Sequence, residues 1–180
     1  MDPEKLIRFF IENAVRWVET QRDKYRSSAR NLTQAEKSEF RPFFEPEILD
    51  FARIKTVSVI KNPGFYSGLR DLNTSQLLDF RSAAGITFRD TILISERYVR
   101  TDSRMTPLVF HELVHVVQYA VLEVQGFITR YVRSWFENGL DYYGISLETQ
   151  AYALQQRYEE NPRQGFPVKD EVRQNLRERL

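Results

Sequence analysis

Residues 110–119 read Phe-His-Glu-Leu-Val-His-Val-Val-Gln-Tyr, and both histidines of the chain lie in this stretch. Residues i and i+4 lie one above the other on an α-helix, so His111 and His115 project from one face. That distance suits two imidazole nitrogens that converge on one zinc ion. Glu112 is rotated by about 100° from His111, so it borders the metal face without having to bind the ion. We therefore predict that Glu112 accepts a proton from metal-bound water.

The residues around this motif predict an amphipathic helix. Thr106 is a favourable N-cap and Pro107 suits a first turn, so the helix should run to about Gln125 and end at Gly126. Gln118 shares the face of the two histidines. It could contact their side chains there or remain a partly exposed polar residue.

A third metal ligand must come from elsewhere in the chain. A catalytic zinc ion usually has three protein ligands and one open position. The sequence has no cysteine and no third histidine, so the ligand is Asp or Glu, or the site is incomplete. The acidic residues downstream that could serve are Glu123, Glu137, Asp141, Glu148 and Glu159.

Glu148 is the favoured third ligand. It lies in the first turn of a helix expected over residues 147–160, and the small Ala151 would let that helix approach the metal helix. Tyr152, one turn further, can hydrogen-bond within the site, and we predict a catalytic role for it. The alternatives are that Glu148 only complements the positive end of its helix dipole and that Tyr152 only packs in the core.

Other polar residues near the predicted site are less favoured as functional residues. Tyr142 and Tyr143 could also stabilise an oxyanion, but packing in the core is the favoured interpretation. Arg130 and Arg133 could bind a substrate carboxylate, but a solvated helix face is favoured for both.

Other stretches of the sequence predict a long N-terminal helix and a small sheet. Residues 3–30 form one long amphipathic stretch, which predicts a helix. Residues 54–60 alternate in the manner of a strand, and residues 85–88 and 91–95 are two short β-rich runs. Arg89-Asp90 between these runs suggests a tight hairpin, although neither residue is favoured in such a turn.

The order of helix, small sheet and helices predicts an α+β fold, with a mostly antiparallel sheet packed on the motif helix. A further helix is expected over residues 127–136. We divide the chain into an N-terminal helical segment (1–44), a metal-binding domain (45–162) and a charged C-terminal tail (163–180).

The composition bears on partners and location. The chain has 26 basic and 25 acidic side chains, and this balance gives no argument for a nucleic-acid partner. Without cysteine, any metal must be bound by nitrogen and oxygen atoms. The apolar stretch over residues 6–18 is interrupted by charges, and no run approaches the roughly 18 apolar residues of a membrane-spanning helix. We expect a soluble, cytoplasmic protein without a transmembrane segment.

These residues resemble the gluzincin class of zinc metallopeptidases, whose signature is H-E-x-x-H followed by a zinc-binding Glu on a later helix. The resemblance implies a zincin-like fold, in the form of a minimal gluzincin, that binds one Zn²⁺ and acts on a peptide or protein substrate. His111, His115 and Glu148 would be the zinc ligands, and Glu112 would be the general base.

A closer resemblance is to a widespread, mostly uncharacterised bacterial family with an H-E-L-x-H-V-x-Q core, which residues 110–119 match. Residues 84–92 and 147–153 also fit this family, so the resemblance covers about residues 45–160. In such enzymes a sheet edge strand commonly lies above the metal helix and pairs with extended substrate. The resemblance makes residues 91–95 the expected edge strand.

The chain departs from the gluzincin pattern at one position. Many gluzincins carry an Asp four residues after the ligand Glu, and Tyr152 occupies that position here. The orienting carboxylate would then come from Asp141 or be absent.

Three functions remain open at this point: a zinc-dependent endopeptidase or aminopeptidase-like hydrolase, a non-catalytic zinc-binding interaction or regulatory module, and a metal-free helical interaction domain. The last would use aromatic faces such as Tyr131-Trp135.

Overall fold

The computed structural model of the chain describes residues 2–69, 77–99 and 105–178. The helices in these ranges are α1 (Pro3–Arg26), α2 (Gln34–Phe40), α3 (Pro46–Phe51), α4 (Glu96–Val99), α5 (Met105–Glu137), α6 (Ser146–Glu160) and α7 (Val168–Glu178). The strands are β1 (Arg30–Asn31), β2 (Arg53–Val57), β3 (Gly85–Phe88) and β4 (Thr91–Ser95). Short 3-10 turns span Gly64–Gly68, Phe80–Ser82 and Tyr142–Gly144. The predicted α+β class is therefore confirmed.

The four described strands form one mixed sheet in the order β1-β2-β4-β3. The outer pairs, β1 with β2 and β4 with β3, are antiparallel, but the central pair β2 and β4 is parallel. The expectation of a mostly antiparallel sheet thus missed the central pairing. The hairpin itself was predicted, but it is β4 that lies beside β2, and this placement makes β3 the edge strand. The expected edge strand over residues 91–95 is therefore wrong, because those residues form the interior strand β4.

The hairpin between β3 and β4 is held by charges from α1. Arg89 adopts a positive φ of 62°, and Asp90 is buried. Arg22 donates to both carboxylate oxygens of Asp90 at 3.1 and 3.0 Å, and Arg26 pairs with the same carboxylate at 3.0 Å. Burial alone would raise the pKa of Asp90, but the two guanidinium groups hold it below its usual value. These ion pairs explain how a turn without favoured turn residues forms, and they join α1 to the sheet.

The motif helix α5 has a sharp break within it. Glu123 has φ 58° and ψ 171°, a backbone conformation that residues other than glycine rarely adopt. The two helices predicted here are therefore present, but they meet at Glu123, and the expected end at Gly126 is wrong. The break turns the second half of α5 back toward the site, and this half supplies Tyr131 and Trp135.

Two aromatic clusters pack against α5, one at each side of its break. On one side, Phe110 stacks on Tyr158 with centroids 4.4 Å apart, and Phe43 lies 5.4 Å from the same Phe110 ring. After the break, Phe10 of α1 lies 5.6 Å from Trp135, ring to ring. This packing joins α6 to the first half of α5 and α1 to its second half.

Both ends of the chain contribute to the same core. The buried residues of α1 and α7 belong to one hydrophobic cluster with those of α5 and α6. The helix α5 is long and apolar enough to cross a membrane by length and composition, but 61% of its most apolar window is buried inside the fold. That degree of burial is typical of a core helix.

Candidate metal centre

His111, His115 and Glu148 converge on one point between α5 and α6. The two Nε2 atoms lie 3.1 Å apart, and Glu148 Oε2 lies 3.3 Å from His111 Nε2 and 3.4 Å from His115 Nε2. All three side chains are buried. The three residues that the sequence nominated as ligands are therefore neighbours, and together they could hold a metal ion.

Gln118 fixes the tautomer of His115. Its Nε2 lies 3.0 Å from the carbonyl oxygen of Leu147, which only accepts hydrogen bonds, so this atom is the amide nitrogen. The Gln118 Oε1 atom then faces His115 Nδ1 at 2.8 Å and accepts its hydrogen. When His115 is neutral, its Nε2 therefore has its lone pair directed at the common point.

Gln155 fixes the tautomer of His111. Its Oε1 lies 3.1 Å from His111 Nδ1, while its Nε2 donates to Glu159 Oε1 at 3.1 Å. In their neutral forms both imidazoles thus direct an Nε2 lone pair at the same point, next to a carboxylate oxygen. Three buried acceptor atoms at this spacing repel one another unless a cation or a proton lies among them.

Two tyrosines hold the Glu148 carboxylate. Tyr131 donates to Glu148 Oε1 at 2.9 Å, and Tyr142 donates to Glu148 Oε2 at 2.7 Å. Sequence reasoning raised Tyr142 as an oxyanion donor and Tyr131 as part of an aromatic face, but it did not connect either hydroxyl to Glu148. Glu148 is thus oriented from both sides before any ion binds.

The charges of the triad shift each other's protonation. Burial lowers the pKa of His115, but Glu148, with Glu112 and Gln118, more than offsets this effect and raises the pKa to about 9. Burial would raise the pKa of Glu148, but His115 and His111 hold it well below its usual range. The centre therefore favours a bound positive charge near neutral pH.

Glu112 lies beside the triad on the strand side. Its Oε2 accepts a hydrogen bond from the Thr87 hydroxyl at 2.7 Å, and the same hydroxyl contacts the Glu112 carbonyl at 3.1 Å. Burial raises the pKa of Glu112, although His115 and His111 act in the opposite direction. A Cβ atom on Gly85 would lie 2.5 Å from Glu112 Oε1, so only glycine leaves room for this carboxylate.

Tyr152 lies at the rim of the site. Its side chain is 42% exposed, and its ring packs on His111 with centroids 4.5 Å apart. The described hydrogen bonds from tyrosine hydroxyls to Glu148 come from Tyr131 and Tyr142 instead. Tyr143 is 75% exposed and lies 6.5 Å from Tyr152, ring to ring.

Asp141 and Arg133, which the sequence also raised, have partners outside the triad. Asp141 accepts from the backbone N–H of Tyr143, so the orienting groups of the imidazoles are the amides of Gln118 and Gln155 and not this carboxylate. Arg133 pairs with Glu4 of α1.

A cavity of about 1000 Å³ opens beside these groups. His111, Glu112, His115, Glu148 and Tyr152 all line it, and it extends from the triad toward α1. Its size is at the upper end of the range for sites that enclose a small molecule, about 300–1,000 Å³. A ligand in the cavity can therefore reach the triad, although the side chains of the triad are almost fully buried.

Comparisons of the chain with protein-family models, curated proteins and solved structures give no match.

Proposed function

We propose that this chain is a zinc-dependent hydrolase of the gluzincin type that cleaves peptide bonds. His111, His115 and Glu148 would bind the ion, and Glu112 would act as the general base. The proposal rests on one observation above all, the spacing of the three ligand atoms.

The spacing fits a tetrahedral zinc ion. Zinc bonds of about 2.0–2.1 Å place tetrahedral ligand atoms about 3.3–3.4 Å apart. The separations in this centre are 3.1, 3.3 and 3.4 Å. Two imidazole nitrogens with one carboxylate oxygen favour zinc over magnesium or calcium, which prefer oxygen ligands. Three protein ligands leave a fourth position for a reacting molecule.

A zinc ion held there would polarise a substrate carbonyl and lower the pKa of a water molecule. Glu112 would carry the proton. Because burial raises its pKa above the usual value of a glutamate, Glu112 would be a stronger base, able to take a proton from the attacking water and release it to the departing amine nitrogen. Thr87 holds one of its oxygens during both transfers.

The position of β3 supports a peptide as the substrate. β3 is an edge strand of the described sheet, so its outer backbone groups can pair with an extended chain. Gly85 and Thr87 of this strand both lie against Glu112. A peptide that pairs with β3 would therefore run past the proposed base.

Glu112→Gln is the direct test of the catalytic part. We expect this variant to retain one zinc ion per chain, measured by mass spectrometry, and to lose about 10²–10⁴-fold in cleavage of a quenched fluorescent peptide library. His111→Ala, the control, should lose both zinc and cleavage. A Glu112→Gln variant that cleaves as fast as the wild type would exclude the mechanism. Stoichiometric zinc without any cleavage by the wild type would favour the non-catalytic zinc module.

A further inference from the structure

The cavity continues past the metal ligands to a compartment beneath α1. One face of this helix, formed by Phe10, Ala14, Trp17 and Val18, lines the cavity. Ala14 lies four residues from Phe10 and Val18 and three from Trp17, so the four positions share one broad face of the helix. Ala14 has the smallest side chain of the four, and it leaves a gap between larger neighbours.

The cavity beneath α1 is also lined by aromatic and aliphatic side chains from other elements. Trp17 lies 5.3 Å from Phe80 and 5.0 Å from Phe88, ring to ring, and all three residues line the cavity. Trp135 and Val132, from the second half of α5, line it as well. Such packed rings form a rigid wall with an apolar surface.

The compartment is continuous with the metal centre. Tyr131 donates to Glu148, and Trp135 follows it by one helical turn, a rise of about 6 Å. Both residues line the same cavity as His111 and Glu112. A molecule that reaches the triad can therefore place another of its groups against Trp135.

We propose that this compartment binds a bulky, uncharged apolar side chain of the substrate, next to the bond that is cleaved, and that Ala14 sets its size limit. The inference rests on the proposed function in taking the substrate to be a peptide. A charged side chain would lose its hydration among aromatic rings, whereas an apolar one gains from burial. The helix α1 would then be the roof of the substrate site.

The test measures binding, so that it does not depend on turnover. The probes are acetylated and amidated hexapeptides that differ only in one central residue: Ala, Leu, Phe, Trp, Lys or Glu. The zinc-loaded Glu112→Gln variant is titrated with each peptide by calorimetry. We expect the Phe peptide to bind at least about tenfold more tightly than the Ala peptide, with Lys and Glu no better than Ala.

Two substitutions in the Glu112→Gln variant, Ala14→Leu and Val18→Ala, probe the wall of the compartment, and a third, Ala153→Leu, is the control. Ala14→Leu keeps a strong helix former and fills the gap, so it should remove the tenfold preference while the Ala peptide binds as before. Ala153→Leu makes the same change at an exposed position of α6 and should alter nothing. Val18→Ala enlarges the compartment and should improve binding of the Trp peptide relative to Phe, which tests the inference even if Ala14→Leu fails to fold.

The outcomes separate this inference from the proposed function. A size preference that Ala14→Leu removes, with no cleavage by the wild-type chain, would support the compartment and count against the hydrolase. Cleavage by the wild type that ignores side-chain size, and that Ala14→Leu leaves unchanged, would overturn the compartment and keep the hydrolase. Absence of binding by every peptide would also overturn the inference.

Discussion

Replacement of Gly85 by alanine should displace the proposed general base without disturbing the metal ligands. A Cβ atom at this position would lie 2.5 Å from Glu112 Oε1 and 2.9 Å from its Cδ. Ordinary van der Waals contact begins at 3.4 Å, so the carboxylate would have to retreat by about 0.9 Å. Gly85 has no positive φ, so alanine can adopt its backbone conformation.

The size of the effect follows from how tightly Glu112 is held. Its carboxylate is buried and accepts a hydrogen bond from the Thr87 hydroxyl at 2.7 Å, so a retreat of this size stretches or breaks that hydrogen bond. Misplacement of a reacting group by about 1 Å can reduce the rate by about 10²-fold. We therefore expect kcat/KM of Gly85→Ala to fall by about 10²-fold, with zinc content unchanged.

The assay compares cleavage of a quenched fluorescent peptide and zinc content for three proteins. These are the wild type, Gly85→Ala and the control Gly64→Ala, where an added Cβ would have no neighbour within 4 Å. The control should match the wild type in both measurements. Wild-type activity in Gly85→Ala would refute the idea that the position of this carboxylate limits the reaction.

Three further predictions concern the centre and its support. Zinc must displace the proton that His115 holds with a pKa of about 9, so zinc affinity should rise roughly tenfold per pH unit from pH 6 to 8 and level off above 9. Competition titration with a chelator calibrated at each pH should give this slope, and a flat profile would contradict it. Gln118→Leu should weaken zinc binding about 10–100-fold in the same titration, because His115 Nδ1 loses its acceptor. Asp90→Asn should lower the free energy of unfolding by about 2 kcal/mol in urea titrations, since Arg22 and Arg26 lose their carboxylate, and unchanged stability would show that these pairs contribute little.

The local chemistry of the centre could be predicted from the sequence because it depends on helical periodicity. His111 and His115 are one turn apart whatever surrounds them, and helical spacing also placed Gln118 on their face. Because the chain has no cysteine and no third histidine, only an acidic residue could be the third ligand. Glu148 was preferred because Ala151 would let its helix come close, and α6 does lie against α5 at that position.

The contacts made by tertiary structure could not be predicted in this way. Tyr131 reaches Glu148 only because α5 turns at Glu123, and no residue type at that position signals such a break. Gln155 could have been found, since it lies seven residues after Glu148 and therefore on nearly the same face of α6. The interior position of β4 had a signal that was not used. Its run Ile92-Leu93-Ile94 is continuously apolar, the strand is buried at every position, and such a run is typical of an interior strand. The parallel pairing of β2 with β4 depends on the packing of the whole sheet and could not be predicted from the strands alone.

The most direct test of the account is an anomalous difference map, measured at the zinc absorption edge, from crystals of the purified protein. We predict one strong peak about 2.0–2.2 Å from His111 Nε2, His115 Nε2 and a carboxylate oxygen of Glu148. A map without a peak between these side chains, even after the crystals are soaked in zinc, would contradict the proposal that the triad is a zinc site.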